Sequence, residues 1–305
     1  MNSMSVQRKI NLKHHKSVTL ACGLALCFAS GNIKASDIGP SISDELNELY
    51  RAQISVCTDS SDSKPGYFCS GVLIRAVGEF EDPWTYTPLE KLRGGASFSY
   101  IRSDIDVSPN TLYGYHGITL SSPSNALMLG KQYNVACMFP VNGESDQRDR
   151  LGCGDIKAKS IDTVSTCENY GVFIAEQWIS LYERGNRVKC TFDGASTSGF
   201  SETIRAQNIY YSQYSNSWGL WNEFIIPTWD INKPEQLPIN AFWYAAYDND
   251  FDHLDSLEFL NEARRYQVKY LNRTGILLPI LRLTDDTDSP FLYVESDQGL
   301  FPTEE

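Results

Sequence analysis

Four side chains on three separated stretches have the chemistry of a catalytic or binding site. Arg75 closes one apolar run, Ser97 and Ser99 stand two residues apart on a second stretch, and Glu223 precedes a third. A guanidinium can hold a phosphate through two parallel hydrogen bonds, hydroxyls can line a polar cleft, and a carboxylate can act as a catalytic acid. Each residue also has an ordinary interpretation, as a solvated strand tip, a polar sheet face or an exposed acid.

The stretches that carry these residues are predicted to be β-strands. Val72–Ile74 and Phe224–Ile226 are short apolar runs rich in β-branched and aromatic residues, and Pro227 ends the second. Glu223 is therefore expected where a loop opens onto a buried strand. In Ala96–Tyr100 the serines alternate with apolar residues, which puts both hydroxyls on one face of a strand. Gly95, just before it, lets the backbone approach a ligand closely.

The rest of the chain mixes a few helices with scattered strands. Helices are predicted over 41–54, over 174–182 with Trp178 buried and Gly185 as the stop, and over 254–271, the longest. Further strands are predicted at 133–139, 237–247, 276–283 and 291–294. Loops are predicted at 113–118, which holds His116, at 194–201 and at 209–219. This mixture favours an α+β fold over a doubly wound sheet.

The first 35 residues have the features of a secretory signal peptide. A basic start is followed by the apolar run Val18–Ala29, which is too short to span a bilayer. Small and polar residues follow it over 30–36, with Ala35 as the residue before the expected cleavage. We therefore expect a cleaved signal over 1–35, no lipid anchor, and a secreted protein with a single domain over 36–305.

The cysteines indicate disulfides and not a metal site. In an exported chain, the six cysteines after the signal predict up to three disulfides, with the pairing left open. They are Cys57, Cys69, Cys137, Cys153, Cys167 and Cys190. Zinc sites use closely spaced Cys and His ligands, whereas this part of the chain has no Cys-x-x-Cys pair and only two histidines, His116 and His253. No metal is therefore expected.

The charge restricts the kinds of partner. The chain has 38 acidic and 26 basic residues, for a formal net charge of −12 at pH 7. Removal of the signal takes away basic residues only, so the remainder is still more acidic. Nucleic acids and anionic membranes repel such a surface, and neither is expected as a partner.

The order of the three stretches, Arg75, then Ser97-Phe98-Ser99, then Glu223, resembles the arginine, serine pair and glutamate of the ADP-ribosyltransferase superfamily. Longer motifs are similar to those of the halovibrins, a family of secreted bacterial proteins that cleave NAD. These motifs are Cys69–Arg75, Gly94–Asp104, Gly152-Cys153-Gly154, Glu176-Gln177-Trp178 and Pro238–Phe242. The resemblance spans most of the chain after the signal.

The resemblance implies an ADP-ribosyltransferase-like core of mainly antiparallel sheets with peripheral helices, stapled by disulfides. It implies NAD as the substrate and no separate cofactor. Glu223 would stabilise the positive charge that develops on the ribose as its bond to nicotinamide breaks. Arg75 would neutralise the pyrophosphate, and Ser97 would hold the ribose or orient the acid. Supporting contacts would come from Ser99, Gly95, Phe98, Trp221 and Arg102. Arg102 and Arg93 are the alternatives to Arg75 as the phosphate clamp, and Arg102 ranks second.

The residue two positions before Glu223 separates two reactions. Transferases that modify arginine commonly carry Glu or Gln there to orient the acceptor, whereas this chain has Trp221. We therefore expect hydrolysis of NAD to ADP-ribose and nicotinamide. Transfer to a protein, as in a mono-ADP-ribosyltransferase toxin, is the alternative. The acceptor, a host target and an immunity protein stay open as partners.

Two interpretations from other classes compete with NAD cleavage. A non-enzymatic secreted binding protein is favoured by the aromatic residues Tyr210, Tyr211, Tyr214 and Trp218, although most aromatic residues in a chain of this size are core. Cys69–Ile74 resembles a strand of trypsin-like proteases. The histidine and the Gly-Asp-Ser-Gly-Gly setting that those enzymes need are missing, which argues against a protease.

Overall fold

The computed structural model describes most of the chain after the expected signal. The described residues are 35–59, 62–78, 82–105, 112, 114–143, 148, 152–154, 166–185, 187–214, 220–246 and 256–299. The expected signal 1–35 lies outside them except for its last residue. Within the described ranges, no helix combines the length and the apolar character needed to cross a membrane.

Nine strands of the described chain form one mainly antiparallel sheet, and a separate hairpin pairs β1 (Val56–Asp59) with β2 (Asp62–Pro65). The nine are β3 Val72–Ala76, β4 Gly95–Ile101, β5 His116–Leu120, β6 Cys137–Phe139, β7 Phe192–Asp193, β8 Glu223–Pro227, β9 Ile239–Ala245, β10 Ile280–Leu283 and β11 Phe291–Tyr293. Their order is β11-β10-β9-β5-β3-β4-β8-β6-β7, and only β9 and β10 are parallel. The prediction of an α+β fold is confirmed.

The three strands singled out by the sequence are neighbours at the centre of this sheet. Strand β4 pairs with β3 on one side and with β8 on the other. Ser99 lies opposite Ile74 of β3, and Ser97 lies opposite Ile225 of β8. The predictions of all three strands are confirmed, with β3 extending past Arg75 to Ala76.

In the described ranges, six helices pack around the sheet: α1 Ala35–Arg51, α2 Pro88–Arg93, α3 Pro123–Met128, α4 Ala175–Arg184, α5 Thr197–Tyr214 and α6 Ser256–Thr274. Phe200 of α5 packs against Tyr100 and Phe224, whose rings are stacked 4.9 Å apart on one sheet face. Tyr266 of α6 packs against Phe242 on that same face. Helices α5 and α6 therefore cover the face that carries these aromatic residues.

Several other element predictions are confirmed. The helix at 174–182 is α4, with Trp178 fully buried and Gly185 at its C-cap. The helix at 254–271 is α6, the longest one described, and Gly275 follows it with a left-handed φ of 73°. Strands β9, β10 and β11 lie inside the ranges 237–247, 276–283 and 291–294.

Other element predictions are wrong or only partly right. Residues 197–201 and 209–214, expected in loops, belong to α5, since tertiary packing of Phe200 and Tyr210 stabilises a helix that lacks a strong apolar stripe. His116, also expected in a loop, begins β5 opposite Tyr244. The strand expected over 133–139 is confined to β6, and the helix expected from residue 41 begins at Ala35.

The six cysteines form three disulfides between neighbours in the sequence. The pairs are Cys57–Cys69, Cys137–Cys153 and Cys167–Cys190. This bears out the expected number of bridges and resolves the pairing that the sequence leaves open. Such short loops stabilise a fold by roughly 3 kcal/mol each, largely by restricting the unfolded chain.

Candidate functional site

The carboxylate of Glu223 is buried at the first position of β8. Its residue is 5% exposed, and it pairs in the sheet with Phe139 of β6. The backbone N–H of Gly143 donates a 2.9 Å hydrogen bond to Oε2. Among the described residues, hydrogen-bond donors reach Oε2, and none reaches Oε1. The interpretation of Glu223 as an exposed acid is therefore wrong.

The residue before Glu223 fixes the entry into β8. Asn222 is fully buried, and its side chain accepts from the N–H of Tyr100 and donates to the carbonyl of Tyr100, at 2.7 and 2.8 Å. It also donates to Gln207 of α5 at 2.7 Å. A side chain thereby extends the pairing of β4 with β8 and anchors it to a helix. This network holds Glu223 in a defined place.

The described residues directly after β6 lie against Glu223. A Cβ added to Gly143 would lie 2.9 Å from Oε2 of Glu223 and 2.8 Å from the ring of Phe139, so only glycine permits this approach. The carbonyl of Asn142 accepts a 2.8 Å hydrogen bond from the buried ammonium of Lys189. The Cys137–Cys153 disulfide links β6 to Cys153, further along the chain.

A second charged side chain lies beside Glu223. Arg148 is fully buried, and its Nη1 is 3.9 Å from Oε2 of Glu223. None of its three side-chain nitrogens has a hydrogen-bond partner among the described residues. The site thus pairs an anchored carboxylate with a guanidinium whose donors are unused.

The two serines share a sheet face with Glu223. Ser97 lies opposite Ile225, and side chains alternate along a strand, so Ser97, Ser99 and Glu223 project to the same side. Continuing the register by one pair from Phe98–Phe224 places Ser99 opposite Glu223. Ser99 is buried and Ser97 is partly exposed. Both serines therefore lie on the same face of the sheet as the carboxylate.

Arg75 lies on the opposite face of the sheet. It follows Ile74, which faces the same side as Ser99, so its own side chain projects the other way. There Nη1 and Nη2 donate to the two oxygens of Glu90, each at 2.9 Å, and Nη2 also donates to the carbonyl of Thr85. The guanidinium also lies 5.7 Å from the ring centre of Phe98. The structure does not bring Arg75 and Glu223 together.

Glu90, the partner of Arg75, belongs to a motif that is readable in the sequence, but the sequence does not show that it pairs with Arg75. Thr87 and Glu90 form a capping box at the start of α2, a pattern readable from Thr-x-x-Glu. Burial by itself raises the pKa of Glu90, but Arg75 and the N–H groups of Thr87 and Ser97 outweigh it and hold that pKa below its usual value. Glu90 is thus a charged, buried counter-ion for Arg75.

The remaining predicted site residues are divided between the two faces. Phe98 lies on the Arg75 face, since it pairs with Phe224. Arg102 follows β4 and donates to both oxygens of Asp104, at 2.5 and 2.8 Å, in the wall of a cavity of about 440 Å³ beside α5. On the Glu223 side, Gly95 begins β4 against Gly152, and Trp221 is buried two residues before Glu223.

Gly152 packs closely against strands β4 and β8 of the sheet. A Cβ there would lie 2.9 Å from Cγ2 of Ile225 and 3.1 Å from Cα of Gly95. Gly130 has a similar left-handed φ, 71° against 77°, but its added Cβ would meet nothing within 4 Å. We therefore expect Gly152→Ala to lower the free energy of unfolding by about 1–3 kcal/mol more than Gly130→Ala. Urea denaturation of both variants measures this difference, and equal losses would contradict the packing.

Two members of the site were not found from the sequence. Gly143 and Arg148 lie in a charged, glycine-containing stretch whose spacing resembles no known motif, and only the fold brings them to Glu223. Comparison of the chain with protein-family models, with curated proteins and with solved structures finds no match.

Proposed function

We propose that this protein is a secreted NAD glycohydrolase, which cleaves the bond between nicotinamide and ribose to give ADP-ribose and nicotinamide. The observation that carries the proposal is the buried Glu223 carboxylate, anchored by Gly143 on the sheet face that Ser97 and Ser99 share. The order of these residues along the chain resembles that of the ADP-ribosyltransferase superfamily. The three disulfides agree with an oxidising, extracellular location.

The proposed reaction requires a fixed negative charge beside a developing positive one. As the C–N bond breaks, its electron pair leaves with nicotinamide, which becomes neutral, and the ribose becomes an oxocarbenium-like cation. Oε1 of Glu223 would face this cation while Gly143 holds Oε2. A fixed charge in a site shielded from water stabilises such a transition state by several kcal/mol. Water then attacks the ribose and releases a proton.

Hydrolysis is proposed ahead of transfer because of Trp221. The indole is buried two residues before Glu223, where it offers an acceptor no carboxylate or carboxamide. Mono-ADP-ribosyl transfer to a protein is the alternative reaction of the same site. It would use the same oxocarbenium-like species, with a protein side chain in place of water.

A non-enzymatic binding protein is the second candidate function. Three of the rings that suggested a recognition surface are less exposed than this interpretation needs, since Tyr210 is buried and Tyr211 and Tyr214 are partly buried. Trp218 lies outside the described residues. The observation that favours binding is a different one. Leu127, Met128 and Leu129, at the end of α3, are 55%, 79% and 55% exposed, which is unusual for consecutive large apolar residues.

The direct test is the stoichiometry of the products from NAD. The purified, disulfide-bonded protein is expected to release nicotinamide and free ADP-ribose in equal amounts without any added protein. Chromatography of the products measures both. Nicotinamide release with ADP-ribose retained on the protein or on an added acceptor would indicate transfer. No release with or without acceptor proteins would contradict NAD cleavage and favour the binding function.

A further inference from the structure

Arg148 differs from the other buried arginines of the described chain in what it contacts. Arg75 and Arg102 each donate to both oxygens of a carboxylate, Glu90 and Asp104 respectively. Arg148 is fully buried, yet in the part of the chain that the structure describes Nε, Nη1 and Nη2 all lack a hydrogen-bond partner. The two arginines favoured by the sequence as phosphate clamps are thus already occupied, and the third is not.

A buried guanidinium with unused donors is costly. Removing it from water costs several kcal/mol, which good hydrogen-bonding geometry has to offset. The nearest described carboxylate oxygen, Oε2 of Glu223, is 3.9 Å from Nη1 and already accepts from Gly143. Glu223 therefore lowers the electrostatic cost without satisfying the donors. A planar fork of N–H groups matches the two oxygens of a phosphate or carboxylate.

The contacts of Glu223 leave one of its oxygens for a substrate. Among the described residues, hydrogen-bond donors reach only Oε2. An anionic group bound at Arg148 would lie beside Glu223 and would leave Oε1 free to face a cationic centre.

We propose that Arg148 binds the phosphate on the nicotinamide ribose of the substrate, so that the Glu223 site is selective for phosphorylated nicotinamide nucleotides. This inference rests on the proposed function, because it names the group that the same site recognises. In NAD the scissile cationic bond and the nearest phosphate belong to the same ribose. A carboxylate and a guanidinium held side by side match that pair of opposite charges.

The experiment compares three substrates on matched variants. NAD and nicotinamide mononucleotide carry the phosphate, whereas nicotinamide riboside lacks it. Arg148→Met removes the charge and keeps an apolar side chain, Arg148→Lys keeps the charge and loses the fork, and Arg184→Met removes an exposed arginine of α4 as the control. Because Arg148→Met loses charge-assisted hydrogen bonds to the phosphate, kcat/KM for the two nucleotides is expected to fall about 10–100-fold. The fall in Arg148→Lys is expected to be smaller. The value for the riboside stays within about threefold of wild type.

A binding measurement separates this inference from the proposed function. Pyrophosphate and ADP-ribose are expected to raise the melting temperature of the wild type and of Arg184→Met, but not of Arg148→Met, whether or not NAD is cleaved. Cleavage of NAD with equal losses for nucleotides and riboside in Arg148→Met would overturn the role of Arg148 and leave the proposed function standing. Faster nicotinamide release by Arg148→Met would also overturn it, by showing that Arg148 blocks Glu223. If Arg148→Met does not fold, the same comparison of nucleotides with riboside is made on Arg148→Lys. No rise in the melting temperature of the wild type with pyrophosphate would then overturn the inference.

Discussion

The Glu223→Gln variant is expected to release nicotinamide from NAD about 10²–10³-fold more slowly than the wild type. Glutamine keeps the size of the side chain, and its carbonyl oxygen can still accept from the N–H of Gly143. The fixed negative charge facing the ribose is lost, and with it the stabilisation of the oxocarbenium-like transition state. The rate of nicotinamide release at saturating NAD measures the effect.

Two controls make this result specific to the site. Glu258→Gln applies the same chemical change at an exposed position on α6 and is expected to leave the rate unchanged. Near-ultraviolet circular dichroism of Glu223→Gln should match the wild type, because the Asn222 contacts with Tyr100 do not involve the changed group. A folded Glu223→Gln variant with the wild-type rate would exclude Glu223 as the catalytic carboxylate.

The strands of the site could be predicted because their signals are local. Val72–Ile74 and Phe224–Ile226 are short apolar runs whose β-branched and aromatic residues favour a buried strand, and the alternation around Ser97 and Ser99 places both hydroxyls on one face. The pairing of β3, β4 and β8 as neighbours is a tertiary fact. No local pattern in this chain shows which strands are neighbours.

The direction of Arg75 could not be predicted for a physical reason. Side chains of successive strand residues point to opposite faces, so the outcome depends on the register of β3 against β4, which the sequence does not reveal. The position of Arg148 beside Glu223 could not be predicted for another reason. It reaches Glu223 from a segment outside the strands, and the contact depends on the course of the chain after β6.

The Arg75–Glu90 pair is expected to contribute to stability and not to substrate binding. Glu90→Gln leaves a buried guanidinium without its counter-ion and should lower the free energy of unfolding at pH 7 by about 3–5 kcal/mol. Both residues are almost fully buried, so solvent screening reduces this value little. The double variant Arg75→Met with Glu90→Leu removes both charges and should lose less than Glu90→Gln alone. Urea denaturation gives the three values.

The same pair predicts how stability depends on pH. The pKa of Glu90 is lower in the folded protein than its ordinary value of 4.5. The folded state therefore binds the proton less readily than the unfolded chain, so the contribution of Glu90 is complete above pH 4.5 and is lost as the pH falls toward the lowered pKa. Melting temperatures of the wild type should thus fall more steeply below pH 4.5 than those of Glu90→Gln.

Arg75 variants test directly whether this arginine or another one holds the phosphate. If Arg75 bound the pyrophosphate, Arg75→Met would fold with near wild-type stability and show a raised KM for NAD and none for the riboside. The geometry predicts the reverse, because both Nη atoms already donate to Glu90 on the face away from Glu223. We expect a large loss of stability, and in the folded double variant with Glu90→Leu a KM for NAD close to that of the wild type. A raised KM for NAD in that double variant would instead indicate that Arg75 binds the phosphate.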